Sequence, residues 1–218
     1  MNRLRRLREM RKFYGKNAYR PPTRLLKWRA RIYLKRILKR VPIQTHTRIL
    51  EIGCNYGHLT DLLRKRSDSV IGIDINRSII EQSGKNYLKV MNATELQFPD
   101  ESFDLIVATN IVEHIPDTAR FLNEAERVLK PGGHAALIYP WEPVRGYTVL
   151  PEVIANDLSI KDCRRIHVHA FHPGKIRENL EPPLVQTSWR MFFVPQPNFI
   201  SVIRKNDTKQ RHGVSCRS

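Results

Sequence analysis

The sequence predicts an α/β fold: a doubly wound, seven-stranded, mostly parallel sheet with a closing antiparallel hairpin and a basic helical N-terminal extension. Three observations support this prediction. Short apolar runs alternate with segments of helical periodicity between about residue 48 and residue 139. A glycine-containing turn separates the first apolar run from the helical pattern after it. The run at residues 103–109 is almost wholly apolar, as a central strand of a parallel sheet should be.

The N-terminal part of the chain is expected to be helical. Residues 1–20 are predicted to form an arginine-rich helix or a disordered arm, which a Pro-Pro pair ends. Thr23 can cap a second helix, whose apolar residues fall on one stripe and whose Lys and Arg residues fall on the other face. Pro42 ends this helix, and residues 1–40 are therefore defined as a basic helical extension.

The main domain is predicted to cover residues 41–205, and its elements follow from their periodicity. Strands are predicted at residues 48–53, 69–74, 87–91, 103–109 and 134–139, and the closing hairpin at residues 188–194 and 198–204. Helices are predicted directly after Gly57, at residues 76–82, over a face from Phe121 to Leu129, and at residues 175–180. The Pro131-Gly132-Gly133 turn is expected to end the third of these helices. Residues 141–165 are expected to be irregular, and residues 206–218 to be a polar tail.

The net charge of +17 is concentrated at the N-terminus. Residues 1–40 hold sixteen Lys and Arg against one acidic residue, Glu9, whereas the other 178 residues hold 22 basic and 20 acidic residues. The sheet-forming part is therefore nearly neutral, and the extension is the part expected to meet an anionic partner. An anionic membrane surface and RNA are both open as that partner. The alternative is that residues 23–40 pack on the sheet edge and gate the cofactor, with their charges in solvent.

The remaining composition points to a reducing compartment. No apolar run approaches 18 residues, and the basic start lacks the apolar stretch of a secretory signal. Cys54, Cys163 and Cys216 are too few and too scattered for a disulfide framework or a zinc pattern. The cytoplasm is the predicted location, with peripheral membrane attachment or, from the arginine-rich start, the mitochondrial matrix as alternatives.

The most informative stretch is the turn after the first strand. Glu51 lies near the end of that strand, and Gly53, Asn55 and Gly57 follow at alternate positions before a helical pattern begins. Glycine and asparagine tolerate a left-handed backbone, so a ligand can approach the bare turn and the N–H groups at the helix start. The dinucleotide-binding pattern needs a further glycine where this chain has His58, so that pattern fails.

Asp74 closes the second strand, 17 residues after Gly57. A carboxylate at this strand tip can accept hydrogen bonds from both hydroxyls of a ribose. The alternative is that Asp74 caps the helix at residues 76–82, and the two roles are compatible. The turn and the carboxylate together predict a site for a nucleotide-type cofactor at the edge of an open parallel sheet.

Four segments, in order, resemble the class I S-adenosylmethionine-dependent methyltransferases of the type 11 branch, which includes ubiquinone and menaquinone methyltransferases. The stretch from Glu51 to Gly57 resembles motif I of that family, with Asn55 in place of the middle glycine. The later segments that resemble family motifs are residues 92–104, 106–115 and 128–133. The resemblance implies a Rossmann-like fold and S-adenosylmethionine as the cofactor.

The resemblance also implies which residues contact the cofactor. Glu51 would hold the amino group of the methionine part, Ile75 would cover the adenine, and Asn92 would accept a hydrogen bond from the adenine amine. Asn92 could instead be an ordinary turn residue after the third strand. The full set of implied cofactor contacts is Glu51, Gly53, Cys54, Asn55, Gly57, Asp74, Ile75, Asn92, Ala93, Thr94 and Asn110.

His114 is the candidate catalytic base, because the resemblance places it facing the cofactor or the acceptor and histidine titrates near neutral pH. The alternative is a packing histidine at the start of a helix. The acceptor side is expected to include Trp141, Glu142, Tyr147, His167 and His169. His167 and His169, together with His172, could grip a metal, but no nearby carboxylate or Cys completes the set, so no metal is predicted.

The predicted function is in-line methyl transfer to a small-molecule or lipid-like acceptor. The residues after the fourth strand, 109–112, lack the Asn/Asp-Pro-Pro-Tyr/Phe pattern of enzymes that methylate planar amides or adenine amines, and no Pro-Cys nucleophile stands there. One alternative is an RNA-directed methyltransferase that uses residues 1–40 to bind phosphates. Another is a non-catalytic binding protein that keeps the fold. The attacking atom and the oligomeric state are not predicted.

Overall fold

The structure, a computed structural model, describes residues 23–143, 167–194 and 196–207. The helices in these ranges are α1 (Thr23–Leu38), α2 (His58–Leu63), α3 (Arg77–Ser83), α4 (Thr118–Val128) and α5 (Pro173–Glu178). The strands are β1 (Ile49–Ile52), β2 (Val70–Asp74), β3 (Leu88–Val90), β4 (Phe103–Thr109), β5 (Leu129–Pro140), β6 (Leu184–Phe192) and β7 (Asn198–Lys205). A 3-10 turn, Val112–His114, follows β4.

The seven strands form one sheet in the order β3-β2-β1-β4-β5-β7-β6. β1 pairs in parallel with β2 and with β4, and β4 pairs in parallel with β5. β7 lies antiparallel between β5 and β6. The predicted doubly wound sheet with a closing hairpin is therefore confirmed. The strand order changes direction between β1 and β4, and in such sheets ligands bind beyond the carboxyl ends of the strands at that point.

The sheet is covered on both faces. Leu50 of β1 packs in one core cluster with Phe121 of α4. Ile49, its neighbour on β1, packs in the other cluster with Ile37 of α1 and Leu105 of β4. Successive side chains of a strand point to opposite faces, so the apolar run of β1 serves both clusters. Each such fully buried side chain stabilises the fold by roughly 1.5–3 kcal/mol.

Helix α1 packs on the sheet and runs from its carboxyl edge toward its amino edge. Near the carboxyl edge, the side-chain amide of Asn110 donates a hydrogen bond to the Tyr33 hydroxyl at 2.9 Å. The Tyr33 ring also lies edge-on to Phe192 at the end of β6, with 6.2 Å between centroids. Farther along the helix, Ile37 shares a cluster with Ile49, the first residue of β1. The domain boundary at residue 40 stays a prediction.

Two strand boundaries differ from the prediction. The fifth strand begins at Leu129 instead of residue 134, so helix α4 ends at Val128 and the predicted Pro131-Gly132-Gly133 turn lies inside β5. The register shows why: Leu129 already pairs with Phe103, and the next pair is His134 with Leu105. The turn residues therefore form an irregularity within the strand, with a left-handed backbone at Gly132. The sixth strand begins at Leu184 instead of residue 188, because it pairs past a bulge between residues 186 and 188.

The smaller elements agree in kind and shift by one or two residues. Helix α3 begins one residue after the predicted start, and α5 begins two residues before it. The predicted arm at residues 1–20, most of the irregular segment at 141–165 and residues 208–218 of the polar tail lie outside the described residues. Among the helices of the described ranges, none is long and apolar enough to cross a bilayer.

Candidate active site

The turn between β1 and α2 has the backbone that its residues predict. Gly53 and Gly57 both have φ near +76°, and Asn55 has φ +51°. A Cβ on Gly53 would lie 3.0 Å from Cβ of Ile111, and a Cβ on Gly57 would lie 2.8 Å from a methyl group of Leu88. The two glycines are therefore required by conformation and by close packing, and the turn exposes backbone at the carboxyl edge.

Asp74 holds this turn from the tip of β2. Its Oδ2 accepts a hydrogen bond from the Asn55 backbone N–H, and its Oδ1 accepts one from the Asn76 N–H, both at 2.9 Å. Burial raises the pKa of Asp74, and the backbone donors of Asn76 and Asn55 oppose that shift. The helix cap proposed as an alternative role belongs to Asn76, whose side chain accepts from the Ile79 N–H. Asp74 thus keeps carboxylate lone pairs for a ligand at the strand tip.

Glu51 and Cys54 lie below the turn instead of on the cleft wall. Glu51 is 2% exposed, and its carboxylate accepts a hydrogen bond of 2.5 Å from the Thr60 hydroxyl of α2. Burial raises the pKa of Glu51 to about 8, and the Thr60 hydrogen bond opposes this. Cys54 packs with Ile80 and Leu88 in a small apolar cluster, where burial strongly raises the pKa of its thiol. Glu51 can thus act on a ligand in the turn only from beneath it.

A cleft opens between the ends of β1, β2 and β3 and the segment after β4. It holds about 640 Å³ of empty space, including the part open to solvent. The predicted site residues that line it are Gly53, Asp74, Ile75, Asn92, Ala93, Thr94 and His114. The lining residues that the sequence analysis missed are Ile52, Ile73, Met91, Ile111, Ile115 and Pro116. The cleft is thus an apolar slot with a carboxylate at one position and an imidazole at another.

Asn92 is engaged within its own loop. Its side-chain oxygen accepts hydrogen bonds from both the backbone N–H and the hydroxyl of Thr94, at 3.2 and 3.1 Å. An amide oxygen has two lone pairs, so both are used in this arrangement. The geometry fits the alternative role of Asn92 as a turn residue, and its predicted bond to an adenine amine stays a prediction.

Asn110 lies just beyond β4 with a left-handed backbone, φ +51°. Its backbone N–H donates to the Ile138 carbonyl at 2.8 Å, which fixes it to the end of β5. Its side-chain oxygen is buried and has no hydrogen-bond partner among the described residues. A buried, unpaired acceptor is costly, and a donor on a bound ligand would relieve that cost. The methionine ammonium of S-adenosylmethionine is such a donor, so this atom fits the predicted cofactor.

His114 lies on the cleft wall within a compact group of buried acids and imidazoles. Its Nε2 is 4.0 Å from Oε1 of Glu113, and its ring meets the ring of His167 edge-on, with 4.6 Å between centroids. Nδ1 of His167 lies 2.9 Å from Oε1 of Glu142, and both side chains are buried. The contact is an ion pair by distance, although its angles do not meet those of a good hydrogen bond. The structure thus joins three predicted residues with Glu113.

Glu113 is the functional candidate that the sequence analysis missed. It is 2% exposed, and burial raises its pKa to about 7, while the charge on His167 opposes this. Its backbone carbonyl accepts hydrogen bonds from the N–H groups of Val168 and His169, which dock that segment beside the cleft. The usable signal in the sequence was an acidic residue immediately before His114 in a mostly apolar run.

The other acceptor-side predictions lie apart from this group. Nε2 of His169 is 3.4 Å from the Pro116 carbonyl oxygen, so it lies near the mouth of the cleft. Trp141 follows β5 and is 40% exposed, and its backbone N–H donates to the Pro197 carbonyl. Tyr147 lies outside the described residues.

The histidines considered as a metal set have different surroundings. Nδ1 of His172 accepts a hydrogen bond from the backbone N–H of Lys175 and caps α5. Within the described ranges, the group whose potential ligand atoms lie within 4.8 Å of one another is Glu113, His114 and His167. The prediction of no metal, made from the histidines at 167–172 alone, did not consider this group and stays a prediction.

A glycine turn, a strand-tip carboxylate and a cleft at the switch point of this sheet define the Rossmann-like class I methyltransferase fold. Residues 50–137 match the family model described as a methyltransferase domain of type 11. This segment is similar to the type 11 branch of the S-adenosylmethionine-dependent methyltransferases, and this supports the family that the motifs predicted. The family and the relatives support S-adenosylmethionine as the cofactor.

Individual relatives agree with this assignment. A probable S-adenosylmethionine-dependent methyltransferase of Mycolicibacterium smegmatis is 37% identical over 89 residues, which are 39% of this chain and 35% of the relative. A demethylmenaquinone methyltransferase of Lactobacillus johnsonii is 29% identical over 122 residues, half of each chain. The chain thus spans about a third to a half of the length of these relatives.

A solved structure supports the fold over nearly the whole chain. It is that of the complex between the Haloferax volcanii Trm112 methyltransferase activator and a methyltransferase, with a TM-score of 0.70. The match covers 91% of this chain and 98% of the matched chain at 15% identity. At that identity the likeness shows the fold alone.

Proposed function

We propose that this chain is a methyltransferase that uses S-adenosylmethionine to methylate a small-molecule or lipid-like acceptor at the His114 end of the cleft. The observation that carries the proposal is that one cleft is lined by both the strand-tip carboxylate of Asp74 and the imidazole of His114. The first suits the ribose of a nucleoside, and the second suits the removal of a proton from an acceptor.

The turn and the carboxylate would hold the cofactor in a fixed orientation. Asp74 would accept from the ribose hydroxyls, Ile75 would cover one face of the adenine, and Asn110 would accept from the methionine ammonium. Glu51, below the turn, would add negative charge near that ammonium once it is ionised. When bound, S-adenosylmethionine supplies a methyl group on a cationic sulfur. The positive charge on that sulfur disappears when the methyl group is transferred. Holding two reactants aligned can itself supply on the order of 7–11 kcal/mol.

His114 would serve as the general base for an acceptor that loses a proton as it is methylated. The Glu113 carboxylate, 4.0 Å from Nε2, would stabilise the imidazolium formed when His114 takes that proton. The Glu142–His167 ion pair packs behind the ring and keeps it in place. Positioned proton transfer of this kind contributes roughly 10²–10⁴-fold to a rate.

The apolar walls at this end favour an acceptor with an apolar body. Ile111, Ile115 and Pro116 line the cleft beside His114, and they offer no polar side chain to a substrate. The name of the Lactobacillus johnsonii relative places its own acceptor among quinone-type molecules. Both observations support a ring or chain of low polarity as the acceptor class.

Two other functions have to be separated from this one by experiment. The basic face of α1 would also suit the phosphates of an RNA acceptor. The same fold could bind S-adenosylmethionine without transferring its methyl group. We propose the cytoplasm as the location of the methyl transfer.

The test is methyl transfer from radiolabelled S-adenosylmethionine into a cell extract, followed by separation into organic, nucleic-acid, protein and small-solute fractions. We expect label in the organic or small-solute fraction, and far less label with the Asp74→Ala variant at a cofactor concentration that limits transfer. Label in the RNA fraction would replace the proposed acceptor with RNA. Tight cofactor binding with no label in any fraction would indicate a binding protein.

A further inference from the structure

Exposed apolar side chains lie at the carboxyl edge of the sheet, which is the edge where the cleft opens. β6 runs parallel to β5 because both pair antiparallel with β7, so β6 ends at the same edge as the cleft. Phe193 and Val194 follow β6 directly and are 66% and 47% exposed. Trp141 follows β5, is also exposed, and donates from its backbone N–H to the Pro197 carbonyl between β6 and β7. These three side chains therefore follow the ends of β5 and β6, the two strands that flank β7.

Helix α1 adds two more apolar side chains at this edge. Tyr33 of α1 lies at the carboxyl edge, where it contacts Asn110 and Phe192. Trp28 and Leu25 lie five and eight residues before Tyr33, and both are exposed. At 1.5 Å per residue they stand roughly 8 and 12 Å from Tyr33 along the helix axis. The start of α1 thus lies toward the carboxyl edge.

Positive charge surrounds these apolar groups. Residues 23–40 hold eight Lys and Arg and no acidic residue. Arg36 lies over the Phe192 ring at 5.1 Å, next to the Phe193 and Val194 pair. One turn later, burial and the charges of Arg36 and Arg190 lower the pKa of Arg40. Such crowding of like charges is relieved by an anionic partner.

We propose that Leu25, Trp28, Trp141, Phe193 and Val194, here called the carboxyl-edge rim, dock this protein on an anionic lipid bilayer. The apolar side chains would enter the interface, and the basic residues of α1 would contact anionic head groups. The advantage of this docking rests on the proposed function. A lipid-like acceptor could pass from the bilayer into a cleft that opens at the same edge.

The shape and chemistry of the rim favour a bilayer over RNA. Aliphatic side chains such as Leu25 and Val194 cannot stack on bases, whereas all five members of the rim can enter an acyl boundary. Trp and Lys or Arg together are typical of the membrane–water interface. The rim side chains project from separate elements instead of lining one groove, which suits a fluid surface that adapts to each of them.

The experiment measures sedimentation of the full chain with lipid vesicles, without cofactor or acceptor. The vesicles contain either phosphatidylcholine alone or equal parts of phosphatidylcholine and phosphatidylglycerol. The test variant combines Phe193→Ser and Val194→Ser. The matched control is Val185→Ser, because Val185 is 45% exposed on the same strand but lies at its other end, paired with Arg204. Thermal unfolding and S-adenosylmethionine affinity are measured for each variant, so that loss of folding or of the cofactor site is detected separately.

We expect the wild type and Val185→Ser to bind the anionic vesicles and the double variant to bind about thirtyfold less, since removing two apolar side chains at about 1 kcal/mol each costs about 2 kcal/mol. Equal binding by the double variant would overturn the proposal that the rim contacts lipid, and would leave the basic extension as the lipid contact. Equal loss in Val185→Ser would overturn the proposed orientation. Binding of the wild type to polyuridylic acid but not to vesicles would overturn a lipid partner altogether. Each of these results holds whether or not methyl transfer is found.

Discussion

Replacing Asp74 with Ala tests the cofactor site at its best-defined residue. In the structure the carboxylate is held by the N–H groups of Asn55 and Asn76, both at 2.9 Å. The same oxygens would accept from the ribose hydroxyls of the cofactor. The substitution removes an ionised acceptor and leaves the two backbone donors without their partner.

The size of the effect follows from these contacts. A hydrogen bond to a charged group contributes roughly 1.5–3 kcal/mol, so two ribose hydroxyls would lose about 3 kcal/mol or more, which is at least about 100-fold in affinity. Asn55 is exposed and can bond to water instead. Asn76 is buried, and its unpaired N–H should cost about 1–3 kcal/mol of stability.

Isothermal titration with S-adenosylhomocysteine measures the affinity, and thermal unfolding of the ligand-free protein measures the stability. Asp68→Ala is the matched control, because Asp68 is an exposed aspartate just before the other end of the same strand. We expect about 100-fold weaker binding for Asp74→Ala and unchanged binding for Asp68→Ala. Affinity within twofold of wild type in a folded Asp74→Ala variant would refute the assignment of the ribose site.

Three further predictions follow from the turn, the acid beneath it and the imidazole. Gly57→Ala should lower the free energy of unfolding by about 1–3 kcal/mol, because φ is +76° and the new Cβ would meet Leu88. Gly84→Ala, where φ is +63° and the Cβ would enter open space, should lower it less. Denaturant unfolding measures both variants. The pKa of Glu51 is raised to about 8, so wild-type stability should fall as the pH rises from about 5 to 8, by on the order of 3–4 kcal/mol from this group. Glu51→Gln should remove that fall. His114→Asn should lower single-turnover transfer by roughly 10²–10⁴-fold and leave cofactor affinity unchanged.

Each of these expectations has a contrary result. Equal losses for the two glycine variants would mean that the backbone conformation alone, and not contact with Leu88, limits position 57. The sign for Glu51 is fixed because the folded state binds more protons than the unfolded state between the two pKa values. A parallel pH dependence in Glu51→Gln would therefore assign the fall to other groups, of which buried Glu113 is the first to examine. Normal transfer by His114→Asn would show that the acceptor needs no base.

The parts of the site that the sequence predicted are those that short segments determine. The left-handed positions at Gly53, Asn55 and Gly57 depend on residue type and immediate neighbours, so a single turn in the sequence defines them. Asp74 was placed correctly at a strand tip because the apolar run before it has a clear end. The doubly wound sheet followed from the alternation of strand and helix patterns, whereas the order of its strands was not predicted.

The parts that the sequence did not predict depend on contacts between distant residues. Pro131-Gly132-Gly133 has the local form of a turn, but pairing of Leu129 with Phe103 extends the strand through it. The group around His114 forms only when the segment at residues 167–169 bonds to Glu113, more than fifty residues earlier. No periodicity in either segment signals such a contact, so a buried acid such as Glu113 is found only in the folded chain.

The packing of α1 against β6 has a consequence for how the protein is made. The ribosome completes α1 before the strands of the sheet, and Phe192, which packs against Tyr33, emerges about 160 residues later. During that interval the apolar stripe of α1 lacks part of its final covering, a condition in which nascent chains aggregate. The eight basic residues within residues 23–40 give this segment a positive charge, so that copies of it on different nascent chains repel one another. The basic face of α1 would thus favour solubility before the sheet exists.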